Sequence, residues 1–247
     1  MVTQVFSDKV SLGKAAASCG AEYIRRAIAA RGSANIIVAT AASQFELQDA
    51  LIKEKGIDWG VVRIFHLDEY IGLPVEHPAS FRKNLRERLI DRLPTPPAEF
   101  FPIDGNAADL DKVIQDLTKA LQKYPTDVAF IGIGENGHIA FNDPPADFET
   151  KEAFLTIRLD EVCRRQQLGE GWFETLDKVP KTAITMSVPQ IMKSAAIINV
   201  VPDLRKAEAV RNALEGPLSN LCPASILRTH ADCHTFLDTA SASLLKK

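Results

Sequence analysis

The chain has 247 residues, 46% hydrophobic and 25% charged, enough to bury a core as one large α/β domain or two small ones. Lys and Arg number 29 against 32 Asp and Glu, a formal net charge of −3, so no global basic field points to nucleic acid or an anionic membrane. Cys19, Cys163, Cys222 and Cys233 form no C-x-x-C pair and no zinc-like Cys/His spacing, and no apolar run approaches membrane-spanning length; this reads as a cytoplasmic protein with reduced thiols and no metal.

Residues 8–31 carry Val10, Ala17, Tyr23, Ile24, Ala27 and Ile28 at helical spacing and stop at Gly32, which predicts a helix. NIIVAT at 35–40 is a continuous apolar run expected of a strand buried on both faces. Residues 43–55 predict a helix opened by Ser43 and Glu46 in capping-box spacing. A strand is expected at 61–67, and helices at 79–89 and 110–123. The Pro-rich stretch at 93–102 between them reads as a surface connection. Residues 127–133, 182–188 and 196–201 predict strands, 203–214 a helix and 233–238 a closing strand. Repeated β–α alternation implies a mainly parallel sheet, because each parallel pairing needs a crossover. The expected fold is therefore α/β: a single domain over 1–247, three-layered and doubly wound, with helices on both sheet faces.

The stretch FIGIGENGHIAFNDPP contains Gly132, Gly134 and Gly137 in G-x-G-x-x-G spacing. A dinucleotide fingerprint requires its glycines to open a helix whose N-terminus holds the pyrophosphate. Pro144 and Pro145 exclude a regular helix through that point, so no redox cofactor is expected. The alternative is a glycine-rich turn at the carboxyl end of a central strand, presenting Glu135, Asn136, His138, Asn142 and Asp143. His138 is then either an oriented acid–base group or a hydrogen-bonded imidazole with no chemical role.

A second constellation is FHLDEYIGLPVEHPASF, in which an apolar strand ends on the carboxylates Asp68 and Glu69. Partial burial would raise a carboxylate's pKa and make it a base; the other reading has Asp68 capping a turn and Glu69 in solvent.

Together LDEYIGLPVEHPASF, GIGENGHIAFNDPP, VPKTAITMSV and RKAEAVRNALEGP followed by PASIL resemble, in order, the glucosamine-6-phosphate deaminase (isomerase) family, whose superfamily includes the 6-phosphogluconolactonases. The resemblance implies conversion of an amino-sugar phosphate to fructose 6-phosphate and ammonia, without metal or redox cofactor. It implies that His138 opens the sugar ring with Asn136 and Asp143 orienting it, and that Asp68 moves the proton between C2 and C1. The substrate-binding candidates are Thr40, Ala41, Ala42 and Ser43 of the phosphate loop, Glu69, Gly137 and Lys206. A lid around 160–180 is implied, with Arg164 or Arg165 as its arginine, although the spacing differs from the family's. Two further departures are alanines at 41 and 42, where glycine is usual, and Asp143, where many relatives carry glutamate.

The expected partner is a small sugar phosphate bound by a monomer or homo-oligomer, with neither nucleic acid nor membrane. Three alternatives stay open: the galactosamine epimer as substrate, lactone hydrolysis, and a non-catalytic sugar-phosphate sensor. N-G-H-I followed by F-N-D favours the deaminase over the lactonases, which tend to carry D-G-H-T. A sensor would normally need an attached DNA-binding module, which the chain and its charge do not suggest.

Overall fold

Alternate residues of the central strands divide between two cores. In the computed structural model, which describes residues 1–246, strand β2 (Ala34–Val38) sends Ile36 and Val38 to one core and Ile37 to the other. Strand β6 (Val128–Ile131) repeats this, with Val128 and Phe130 on the first side and Ala129 and Ile131 on the second. This period of two, apolar on both faces, is the mark of a parallel sheet covered by helices.

Seven strands form that sheet in the order β1-β10-β9-β6-β2-β3-β5, every pair parallel. The others are β1 (Val2–Phe6), β3 (Val62–His66), β5 (Glu99–Phe101), β9 (Ala196–Val201) and β10 (Cys233–Asp238). Helices α1 (Lys9–Arg31), α2 (Phe45–Leu51) and α3 (Phe81–Arg88) cover the first face. Helices α4 (Leu110–Lys123) and α7 (Ala207–Glu215) cover the second. Sheet order reverses direction between β2 and β6, and open α/β sheets bind ligands at such a switch point.

A second, antiparallel sheet of order β4-β8-β7 lies on the second face: β4 (Asp68–Tyr70), β7 (Phe154–Arg158) and β8 (Thr182–Met186). The strand expected at 182–188 thus belongs to this small sheet rather than the large one. Two short helices complete the chain order, α5 (Glu161–Gly169) and α6 (Val188–Ile191). The Pro-rich connection is partly a strand, since it contains β5. The capping box at Ser43 does not form: residues Ala42–Gln44 make a 3₁₀ turn, and α2 begins at Phe45 without a side-chain cap. Among the described residues no helix is long and apolar enough to cross a membrane.

Candidate active site

A cleft of about 110 Å³ opens at the carboxyl ends of β2, β3, β6 and β9. Its walls include Thr40, Ala41, Ala42 and Ser43 after β2, Asp68 after β3, Gly132 and Gly134 after β6, and Asp203, Arg205 and Lys206 after β9. Of the residues singled out in the sequence, Asp68, His138, Lys206 and the 40–43 loop share this cleft. Asn136 and Asp143 stand behind His138 rather than in the wall, and Gly137, at φ 84°, shapes the turn.

The glycine turn exists to seat the imidazole. A Cβ on Gly134 would lie 2.1 Å from the His138 ring, so no larger residue fits beneath it. The turn is closed by the Gly137 N–H donating to the Gly134 carbonyl (3.0 Å) and the His138 N–H donating to Asn136 Oδ1 (3.1 Å). Behind it, Asn136 Nδ2 donates to Asp143 Oδ1 (3.0 Å), and the same oxygen lies 3.1 Å from His138 Nδ1. That last contact has ion-pair distance but not hydrogen-bond direction, and buried Nδ1 has no other partner. Burial pushes the Asp143 carboxyl up, but the His138 ring, the Asn136 amide and the Asp160 N–H outweigh it and hold it below the usual range. The loop is tied to the small sheet: the Phe141 N–H donates to Thr185 Oγ1, and Asn142 Nδ2 to the Met186 carbonyl.

Asp68 opens β4 and pairs with Thr185 across the small sheet. Its carboxyl is buried, and that burial, reinforced by the Glu69 charge, raises its pKa to about 8. Glu69 neither lines the cleft nor meets solvent. Its Oε1 accepts from the Tyr70 and Phe81 N–H groups, and its Oε2 from Ser80 Oγ and the Arg82 N–H, so it anchors the start of α3. Burial still raises its pKa, against the pull of those donors.

At the other end of the cleft, buried Thr40 Oγ1 in the wall has no hydrogen-bond partner among the described residues. Gln44 Nε2 fixes the loop by donating to the Val200 (3.2 Å) and Ile131 (3.3 Å) carbonyls. Lys206 is buried, which lowers its pKa, while Glu135 and Glu170 act in the opposite sense. Among the described residues, Asp203 (φ 91°) and Ala140 (φ 52°) are the non-glycine residues in the left-handed region, and both line the cleft.

Neither arginine singled out for a lid lines the cleft. Arg164 turns away, donating to the Leu176 and Val179 carbonyls, and Arg165 pairs with exposed Glu161 on the surface. Helix α5 instead offers Gln166, Gln167 and, just beyond its end, Glu170. Tyr70 holds it by donating its hydroxyl to Gln167 Oε1 (2.8 Å). Two half-exposed cations, Lys9 and Arg205, stand in the wall, each in an ion pair: Arg205 contacts Asp203 (3.2 Å) and Glu135 (3.6 Å), and Lys9 contacts Asp203 (3.7 Å). The sequence reading missed both, although Arg205 adjoins Lys206. The Gln166/Gln167/Glu170 face was legible as an i, i+1, i+4 set once α5 was recognised.

Fold and cleft together define an α/β protein with a polar ligand cleft at the switch point of its parallel sheet. Residues 7–236 match the family model "Glucosamine-6-phosphate isomerases/6-phosphogluconolactonase", and the chain belongs to that family. It is 36% identical over 208 residues to a glucosamine-6-phosphate deaminase of Exiguobacterium sibiricum, covering 84% of this chain and 80% of that one. A glucosamine-6-phosphate deaminase of Bacillus cytotoxicus is 34% identical over 228 residues, 92% of this chain and 84% of the relative. Among solved structures, a monomeric glucosamine-6-phosphate deaminase superposes with a TM-score of 0.89 at 30% identity, over 99% of this chain and 100% of that one. A 6-phosphogluconolactonase of Trypanosoma brucei shares the fold, with a TM-score of 0.79 at 19% identity over 99% of this chain and 98% of that one.

Proposed function

We propose that this protein is a glucosamine-6-phosphate deaminase, hydrolysing its substrate to fructose 6-phosphate and ammonia. The observation that carries the reading is one cleft holding both a buried carboxyl, Asp68, and a seated imidazole, His138, with buried Lys206 and the 40–43 loop in the same wall. His138 moves a proton from O1 to the ring oxygen and opens the sugar; Asn136 and Asp143 position it. Asp68 then removes the C2 proton from the open aldose and returns it at C1 of the enolamine. The resulting C2 imine takes up water and loses ammonia. Lys206, the Thr40 and Ser43 hydroxyls and the loop amides hold the phosphate. Arg205 and Lys9 complete this grip in place of a lid arginine, while α5 and the segment to residue 180 act as the lid, through uncharged Gln166 and Gln167. All four cysteines are unpaired, which fits a reducing compartment such as the cytoplasm.

The test is ammonia release from glucosamine 6-phosphate and, in parallel, galactosamine 6-phosphate, with Asp68→Asn as control. Ammonia and fructose 6-phosphate from the first sugar, abolished in the control, is the expected result. Turnover of the galacto sugar alone would move the specificity to its C4 epimer. No release from either, by a folded protein, overturns the deaminase reading.

A further inference from the structure

Cys163 has no part in that chemistry, yet it packs beside the residues that do. One donor atom from each of His138, Asp143 and Cys163 lies within 4.8 Å of the other two. The three come from separate segments: the glycine turn, the turn that follows it, and the inner face of α5. His138 is 7% exposed and Cys163 1%, and His138 Nδ1 is enclosed without a well-directed hydrogen bond. Buried His138 Nδ1 thus faces a carboxylate oxygen at 3.1 Å, with the Cys163 sulfur in the same cluster.

The donor chemistry selects the ion. Magnesium and calcium want oxygen ligands, whereas nitrogen, sulfur and carboxylate oxygen together suit zinc. Tetrahedral zinc, with bonds of about 2.0–2.3 Å, sets its donors about 3.3–3.8 Å apart, so the cluster needs at most roughly 1.5 Å of closure. The surroundings favour a cation. Asp160, whose carboxylate accepts from the Cys163 N–H at the start of α5, adds a further negative charge beside the cluster. Access comes from the cleft, since Gln166 and Gln167, on the same buried face of α5 as Cys163, line it.

We propose that His138 Nδ1, Asp143 and Cys163 form an inhibitory zinc site, with water as the fourth ligand. The Cys163 sulfur bonds the ion and its proton leaves to solvent, one per ion bound. Occupancy ties up the imidazole and carboxylate used for ring opening, so turnover stops. The inhibitory half rests on the deaminase reading; the binding half does not.

The experiment titrates the metal-free full chain with Co²⁺ and reads the thiolate-to-cobalt charge-transfer band, then displaces cobalt with Zn²⁺. One equivalent of cobalt should generate the band, and zinc should abolish it and raise the Tm. Cys163→Ala should remove the band and weaken zinc inhibition of ammonia release by at least about 10-fold, with basal turnover unchanged. Cys163→Ser serves the same purpose if the alanine variant folds poorly. No band in excess cobalt, or a band and zinc sensitivity that survive in the variant, overturns the site. A Cys163-dependent band in a protein that releases no ammonia leaves the site standing and removes the deaminase reading instead.

Discussion

Asp68 and Glu69 are chain neighbours whose carboxylates face opposite ways: Asp68 lines the cleft, and Glu69 is turned into the start of α3, where four donors hold it. Glu69→Ala strands those buried donors, so it should cost about 2–4 kcal/mol in a denaturant melt. Arg165→Ala, on an exposed ion pair, should change neither the melt nor the KM. A large KM effect from Arg165→Ala would restore it to the phosphate site.

The pH dependence of kcat/KM reports the free enzyme's base. Asp68 titrates near pH 8 and must be ionised to take the C2 proton. The specificity constant should therefore fall about tenfold per pH unit below roughly pH 8. Measured between about pH 6 and 9, a flat profile would show that another group is the base.

The same raised pKa makes Asp68 a stability liability. Its folded value, about 8, exceeds the unfolded carboxylate value near ~3.9, so its contribution is full below the lower value and is lost as pH rises through the upper one. Asp68→Asn should abolish turnover and melt higher than the wild type, by a gap that widens from about pH 4 to pH 9. Thermal scans at both ends of that range check the sign.

Gly134→Ala places a Cβ 2.1 Å from the His138 ring. The imidazole must move, and kcat should fall by about 100-fold or more while circular dichroism stays unchanged. Full activity in this variant would mean that His138 is not the ring-opening group.

The cations and the carboxylates near the phosphate end should act in opposite directions. Arg205→Ala is expected to raise KM about tenfold at constant kcat, the signature of uniform binding. Glu170→Gln, which removes a negative charge near Arg205 and Lys206, should lower KM. Steady-state kinetics at fixed ionic strength separate the two.

Mainly apolar runs made β2, β6 and β9 readable, because strands covered on both faces need no polar side, and β3 and β10 were readable despite Arg63, His66, His234 and Thr235. β1 escaped since its VTQVF is exposed at the sheet edge, with Val2 and Val5 half in solvent. β4 is three residues long, polar in sequence yet buried, and its Asp-Glu pair looks like a loop until β8 pairs with it. Helix α5 hid behind buried glutamines at positions where an apolar face is expected. Asp68 and His138 were legible as candidates because each follows a strand-like run, whereas Lys206 came from the family resemblance alone. Lys9 was not legible, since only tertiary folding brings the start of α1 to the ends of β2 and β9. The arginines of α5 failed as binding candidates because charge in a sequence carries no direction.

Asp68 pairs with Thr185 of β8, and the loop bearing His138 is fastened to Thr185 and Met186 of the same strand. Thr40, Ser43 and Lys206 belong instead to loops of the large sheet. On the proposed roles, the two proton-handling groups therefore ride on one raft and the anion grip is moored to another. Any sliding between the rafts alters the span from phosphate to reacting carbons while leaving the acid and base in register. The two sheets meet at Leu67, whose carbonyl accepts from the Met186 N–H of β8 (2.9 Å), so on the proposed roles that seam fixes the span between the anion grip and the acid–base pair.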